Sequence, residues 1–204
     1  MNELPPPAPT GRRLSPEEYL EDFFPRFWAI DRYDFWKLER TQTFRESGSA
    51  SWDAFARGEW EESLSLIRQR RDKLEEYYRR VRGSGFTTYR VRVVESAISP
   101  YLQWQLHSLV QRDELGERIR VVGEREVLPR EREGRLPEIV TVGASAVYEV
   151  LYDDDGAILG AVLSERLSEI EAWRDFIRGL YEVGEGVESF FHRRVAPLAP
   201  PRVA

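Results

Sequence analysis

The sequence predicts an α/β fold in which helices pack a small mixed sheet and a mainly helical part precedes it, with an α+β arrangement as the alternative. Three observations support this prediction. The apolar period changes from helical to two at residues 89–96, a capped helix starts after Ser99, and Arg118–Gly123 again has a period of two. Two strands joined by one helix form a βαβ unit, whose strands are parallel and whose crossover is right-handed.

The chain length and composition suit one globular domain with flexible ends. The 204 residues are 41% hydrophobic, which is enough apolar material for a core. Proline-rich segments at 1–14 and 195–204 are predicted to be disordered tails. The domain is expected to span 15–194, with a helical lead-in at 15–82 and the α/β part at 86–194.

The lead-in is predicted to contain three helices and one extended segment. Ser15 and Pro16 open the first helix with a capping box. Residues 35–44 are expected to be extended, and 51–57 to form a short helix. Residues 59–81 read as one long helix with an apolar stripe. The stripe predicts packing on the core, or alternatively a coiled-coil seam that leaves a homodimer open.

The second half is predicted to continue with short strands and two helices. Residues 124–137 read as a charged loop, Ile139–Val142 as a strand, and 146–163 as a hairpin that turns at Asp153 to Gly156. Ser164 is expected to cap the next helix, and a last short helix is expected at 185–192.

The composition excludes several chemistries. No cysteine is present and only two histidines are, so thiolate metal sites and cysteine nucleophiles are ruled out. The motifs of phosphate-binding loops, zinc proteases and serine hydrolases are missing. We therefore expect no catalytic residue, no metal and no cofactor. Because the chain has no long apolar run, we expect a cytoplasmic protein without a membrane partner.

The charge pattern bears on partners. The net charge of −6 argues against direct nucleic-acid binding by the chain as a whole. Of the 30 basic residues, only Lys37 and Lys73 are lysine. Seven basic residues lie between positions 68 and 82, interleaved with acids, which indicates a solvated face or, alternatively, a contact with nucleic acid or another anion.

The candidate ligand site lies beyond the carboxyl ends of the two parallel strands, where ligands collect in α/β sheets. The sequence places there, or on the adjoining elements, six candidate ligand-binding residues: Arg90, Arg92, Glu95, Ser99, Tyr101 and Arg130. The alternative is an ordinary helix cap with strand arginines paired to neighbouring acids.

Four tryptophans in the first third of the chain form the second candidate surface. Exposed tryptophan is a favoured interface anchor. We expect an exposed aromatic patch on the N-terminal half that binds a protein partner or a second copy through Trp28, Trp36, Trp52 and Trp60.

Residues 90–106, read with Leu128, Pro129 and Arg130, resemble an uncharacterised actinobacterial family of domains of unknown function. The shared residues are Arg90, Arg92, Val93, Val94, Ser99, Tyr101, Leu102 and Trp104. Its genes often lie beside helix-turn-helix regulators, so the resemblance implies a regulatory or signalling role with such a regulator as partner. Residues 139–155 depart from the family's aromatic strand.

The order of elements also resembles half of a phospholipase D-like fold, whose chemistry needs a His-x-Lys pair near Ile139. The chain has neither residue there. We expect a non-enzymatic regulatory or partner-binding protein. The alternative is an enzyme or a small-ligand or anion-binding domain with a pocket at the carboxyl ends of the parallel strands.

Overall fold

The computed structural model describes residues 4–132 and 134–202, which form one eight-stranded mixed sheet with helices on both faces. The strands are β1 Arg12–Leu14, β2 Phe35–Glu39, β3 Thr88–Val94, β4 Arg118–Gly123, β5 Ile139–Val142, β6 Ala146–Tyr152, β7 Ile158–Ser164 and β8 Glu185–Gly186. The helices are α1 Pro16–Trp28, α2 Ala50–Ala56, α3 Trp60–Gln69, α4 Arg71–Gly83, α5 Pro100–Leu115, α6 Glu124–Val127, α7 Leu167–Val183 and α8 Val187–Arg194.

The strand order is β1-β7-β6-β5-β2-β3-β4-β8. Strands β2, β3 and β4 are parallel neighbours, and the remaining pairs are antiparallel. The predicted α/β class and the βαβ unit are therefore confirmed, with α5 joining β3 to β4. The β6–β7 hairpin is confirmed too, and the Asp153 carboxylate accepts the N–H groups of Asp155 and Ala157 in its turn.

Both predicted helix caps with a following proline are confirmed. The Ser15 hydroxyl accepts the Glu18 N–H while the Glu18 carboxylate accepts the Ser15 N–H, which completes the capping box of α1. The Ser99 hydroxyl accepts the Leu102 N–H at the start of α5.

The single helix predicted for 59–81 is wrong, because the chain breaks at Arg70 into α3 and α4. At the break the Arg70 N–H donates to the carbonyl of Ile67, three residues back, whereas an α-helix uses the carbonyl four residues back. Both halves keep their buried stripe, since α3 packs on α2 and α5 while α4 packs on α5. Tertiary contacts thus redirect a helix that contains no proline or glycine at this point.

Several boundaries also differ from prediction. Ser164 ends β7, and α7 begins at Leu167 without a side-chain cap. The loop expected at 124–137 contains α6 and a 3₁₀ turn at Leu128–Arg130. The extended segment of 35–44 forms a strand only over Phe35–Glu39, and the last helix ends two residues later than expected, at Arg194.

Described parts of the two proline-rich ends, which the sequence analysis expects to be disordered tails, contact the domain. Arg12–Leu14 pair with β7 as an edge strand, and the Trp173 indole N–H donates to the Pro7 carbonyl. Gly160 permits this pairing, because a Cβ there would lie 2.0 Å from the Leu14 carbonyl oxygen. At the other end Val195 is buried, and the Gln103 amide donates to the Ala199 carbonyl. Residues 1–3, 203 and 204 lie outside the described residues.

The two sheet faces differ in chemistry. Alternate residues of β2 to β6 give one face an apolar surface, which α7 covers with Ile170, Trp173 and Ile177. The opposite face carries two separate apolar clusters. One lies under α1 over β5 to β7, and the other lies under α5 and α8 over β4. Between them, the central strands β2 and β3 present charged side chains.

None of the helices in residues 4–132 and 134–202 is long and apolar enough to cross a lipid bilayer.

Trp104 on α5 is buried, with 5% of its surface exposed. Its ring stacks on Phe55 of α2 at 5.7 Å, and its indole N–H donates to the Ser51 hydroxyl at 3.0 Å. These partners place the Trp104 ring between α5 and α2.

Trp104→Ala is expected to lower the free energy of unfolding by about 3–5 kcal/mol, because it leaves a cavity between α5 and α2. Denaturant titration followed by circular dichroism measures the change. Phe24→Ala, at a position that is 52% exposed, is the matched control and should change stability little. Equal stability of the Trp104 variant and the wild type would place this ring outside the core.

Candidate functional site

The central feature of the site is a charged stripe on the middle strands, formed by Lys37, Glu39, Arg90 and Arg92. The register places Lys37 beside Arg90 and Glu39 beside Arg92, on the same sheet face. The sequence analysis placed the two arginines on one face of β3, and this is confirmed. The alternating residues Trp36, Leu38, Val91 and Val93 face the apolar side under α7.

Glu39 is the anion at the centre of the stripe. One carboxylate oxygen lies 2.8 Å from Lys37 Nζ and 2.6 Å from an Arg90 nitrogen, and the other lies 3.8 Å from Arg92. Burial alone would raise the pKa of Glu39, but the charges of Arg90, Lys37 and Arg92 outweigh it and hold this pKa far below the usual range. Glu39 is therefore a buried carboxylate that stays ionised.

A second buried carboxylate, Glu117, extends the network toward α4 and α5. It accepts hydrogen bonds from Arg90 at 2.7 Å and from the Tyr78 hydroxyl at 2.5 Å, and Arg112 lies 3.7 Å away. Burial raises its pKa, and Arg90 and Arg112 lower it by more, so the net shift is downward. Arg90 thus links both buried carboxylates.

Arg92 is fully buried and serves the scaffold. Its guanidinium donates to the Gln105 side chain at 2.8 Å and to the backbone carbonyls of Glu39, Thr41 and Val93. These bonds fasten the end of β2 to β3 and α5. With its donors turned inward, Arg92 is not placed to meet a ligand.

The other candidate residues from the sequence do not converge on one site. Glu95 pairs with Arg40 at 2.7 Å and Arg135 at 3.2 Å. The Ser99 hydroxyl donates to the Gln42 carbonyl, and the Arg130 guanidinium donates to the Glu126 carbonyl. The buried Tyr101 donates to Glu46 at 2.6 Å. Near the carboxyl ends of the strands these residues make separate local contacts, and Glu95 belongs to a salt-bridge network around Arg40.

Glu138 is a buried carboxyl group beside this network, and its pKa shifts in the direction opposite to that of Glu39. One of its oxygens accepts the N–H groups of Arg40 and Thr41, and the other is buried without a partner among the described residues. Burial raises the pKa of Glu138, with Arg92 and the Thr41 N–H only partly offsetting it. The environment thus raises the pKa of Glu138 and lowers the pKa of Glu39.

A large cavity lies over the charged stripe, away from the strand ends. Its volume is about 740 Å³, and it is enclosed by the sheet, the segment before α2, the α3–α4 junction and the second half of α5. Two carboxylates line it, Glu39 and Glu46. Its cationic lining is Lys37, Arg70, Lys73, Arg90 and Arg112. Both lysines of the chain therefore face one cavity.

Arg70 is a cation of this lining on which the charges of both Arg112 and Glu46 act. It lies at the break between α3 and α4 and has no salt bridge or side-chain hydrogen bond among the described residues. Partial desolvation and the nearby guanidinium of Arg112 lower its pKa. Two cations that repel each other across an open cavity favour the binding of an anion between them.

Sequence reasoning missed this cavity, although one signal for it was present. The basic run from 68 to 82 left an anion contact open, and it includes Arg70 and Lys73. The alternation of Lys37 and Glu39 with Trp36 and Leu38 was a second signal, since it puts charges on one face of a buried strand. Their convergence with Arg112 depends on tertiary structure.

The four tryptophans do not form one exposed patch, so that expectation is wrong. Trp36 is buried and stacks on Tyr89 at 4.1 Å. Trp28 is half-buried beneath the Arg80 guanidinium and belongs to the cluster under α1. Trp52 and Trp60 are half-buried beside the cluster under α5. Whether the three half-buried rings bind a partner stays a prediction.

Neither histidine has a site around it. His107 packs between the rings of Trp60 and Phe191, and burial and Arg68 lower its pKa. His192 is exposed near the end of α8. Within residues 4–132 and 134–202, no three His, Cys, Asp or Glu side chains group as metal ligands would.

Together, the fold and the cavity define an α/β domain with a cationic cavity over one face of its sheet. Residues 21–192 match the model of a family described as a domain of unknown function, DUF6879, and the chain belongs to this family. No curated protein and no solved structure matches the chain.

The two buried glutamates offer a matched test of the electrostatics. Glu39→Gln leaves Lys37, Arg90 and Arg92 without their shared anion and should cost about 3–5 kcal/mol of unfolding free energy near neutral pH. Glu138→Gln keeps an acceptor for two N–H groups and removes a charge that burial disfavours, so its effect should stay within about 1 kcal/mol. Denaturant titration of both variants measures the difference, and equal costs would contradict these assignments.

Proposed function

We propose that this domain binds a small anionic ligand in the cavity over the charged stripe, as a non-enzymatic sensing or regulatory module. The observation that carries the proposal is the surplus of cations in the lining, five against two carboxylates. Glu39 is already neutralised by Lys37 and Arg90, so it does not cancel the charge of Arg70, Lys73 and Arg112. This set of side chains suits phosphate or carboxylate, which arginine binds through paired N–H groups.

The cavity also meets the physical requirements of a ligand site. Its volume falls within the range of about 300–1,000 Å³ that is common for small-molecule pockets. Its deep wall is held rigid by the ion pairs of Glu39 and Glu117. A preorganised wall lowers the entropic cost of binding. We assign no catalytic residue to it.

The finer part of the proposal concerns biological context. The sequence resemblance supports a regulatory role in an actinobacterial cytoplasm, with a protein partner such as a helix-turn-helix regulator. In that role, ligand binding between α3, α4 and α5 would alter the surface that the partner contacts. A homodimer is the other partner arrangement, and direct nucleic-acid contact is not part of the proposal.

Inorganic phosphate is expected to bind the purified wild-type protein, and Arg70→Gln is expected to weaken its binding at least about tenfold, the loss of one charge-assisted hydrogen bond. Isothermal titration calorimetry measures both affinities. Arg68→Gln is the matched control, since it removes the same charge from α3 at a position that does not line the large cavity. Because Arg70 has no partner among the described residues, its variant should fold normally.

Lysine acetylation followed by mass spectrometry locates the same binding event. The chain has only two lysines and both line the cavity, so slower acetylation of the exposed Lys73 in phosphate reports on this cavity. Absence of phosphate binding by the wild type, or equal affinities of the Arg70 and Arg68 variants, would contradict the proposal.

A further inference from the structure

The cavity is much larger than a simple anion requires. A water molecule takes up about 30 Å³ in the liquid, and the cavity has about 740 Å³. The cations without a salt bridge among the described residues, Arg70 and Lys73, line the part near the α3–α4 junction. An inorganic anion held there would leave most of the polar wall to water. The other lining residues would contact the remainder of the ligand, so their chemistry indicates what that remainder is.

That remaining wall offers hydrogen-bond acceptors and small hydroxyl groups. One oxygen of Glu46 accepts the Tyr101 hydroxyl at 2.6 Å, and Glu46 has no salt bridge among the described residues. Burial and the Glu46 charge raise the pKa of Tyr101, so the phenol stays a donor and orients this carboxylate. Ser108 lines the cavity on α5 and has no side-chain hydrogen bond within the described part of the chain. A carboxylate and a serine of this kind suit the hydroxyl groups of a ligand.

The wall offers no platform for a flat aromatic ligand. Trp104 is the one aromatic side chain that the described residues contribute to the lining, and its face is already stacked on Phe55. The apolar lining is otherwise aliphatic, from Leu66, Ile67 and Leu109. Proteins that bind nucleobases commonly stack them on accessible aromatic rings. The lining therefore favours an aliphatic, hydroxyl-rich body over a nucleobase.

We infer that the ligand is a hydroxyl-bearing organic phosphate of the sugar phosphate class. Its phosphate lies at Arg70, Lys73 and Arg112, and its hydroxyls donate to Glu46 and exchange hydrogen bonds with Ser108. This inference rests on the proposed anion-binding function and adds the chemical class of the ligand to it. Glu46 is then the residue that determines specificity, because it selects the hydroxyl-bearing body while the cations select the phosphate.

Isothermal titration calorimetry of the full chain with four probes tests the inference: glucose-6-phosphate, inorganic phosphate, glucose and adenosine monophosphate. Glucose-6-phosphate should bind at least about tenfold more tightly than inorganic phosphate and adenosine monophosphate. Glucose should show no measurable binding, because it lacks the charged group.

The Glu46→Gln variant tests the assigned specificity residue. The substitution removes a negative charge beside the cations, so the affinity for inorganic phosphate should stay the same or rise. The ratio of the affinity for glucose-6-phosphate to that for inorganic phosphate should fall toward one. Glu61→Gln, at an exposed position of α3, is the control and should keep the wild-type preference. Thermal unfolding of both variants checks that they are folded.

The outcomes separate this inference from the proposed function. Inorganic phosphate that binds as tightly as glucose-6-phosphate would overturn the sugar phosphate class and leave the anion site standing. Tighter binding of adenosine monophosphate would overturn it in favour of a nucleotide. If neither phosphate compound binds, the inference and the proposed function both fail.

Discussion

The ion pairs of Glu39 with Lys37 and Arg90 determine how helices can cover one face of the sheet. Charges removed from water cost several kcal/mol each unless they are paired and hydrogen-bonded. An apolar helix face laid directly on the charged stripe would leave these groups without partners. The helices therefore form two separate clusters, one under α1 and one under α5 and α8, on either side of the stripe. The cavity lies over the stripe, beside the cluster under α5 and α8.

The same network explains why the cavity is cationic. Glu39 and Glu117 both form salt bridges with neighbouring cations, and Arg90 pairs with both of them. The cations farther out, Arg70 and Lys73, then face a cavity in which Glu46 is the remaining carboxylate. The chain as a whole is acidic, with a net charge of −6, so this local surplus runs against its average composition. Whole-chain charge is a poor guide to a site of this size.

The parts of the fold that could be predicted from sequence depend on local rules. The caps at Ser15 and Ser99 and the period of two in β3 and β4 involve residues close together in the chain. The parallel pairing of these strands then follows from the helix between them. The features that the sequence did not predict depend on contacts between residues far apart in the chain. Pairing of β1 with β7 joins residues about 150 positions apart, and the break at Arg70 follows from packing on two different helices.

The site shows the same division. The shared face of Arg90 and Arg92 follows from strand alternation alone, and it was predictable. The sequence could not predict which of the two arginines is accessible, because Arg92 turns inward to donate to the carbonyls of Glu39 and Thr41. The meeting of Lys37, Arg70 and Arg112 brings together β2, the α3–α4 junction and α5, and no sequence pattern relates them. Glu95 and Arg130 lie near the strand ends as expected, but local salt bridges and backbone carbonyls occupy them.

A double-mutant cycle between Glu39 and Arg90 tests most directly whether this ion pair organises the sheet face. The free energies of unfolding of the wild type, Glu39→Gln, Arg90→Met and the double variant give the coupling energy. We expect a coupling of at least about 2 kcal/mol, with the double variant no less stable than the less stable single variant, because the double variant leaves neither member of this pair buried without the other. Additive effects, with a coupling below about 0.5 kcal/mol, would contradict the account.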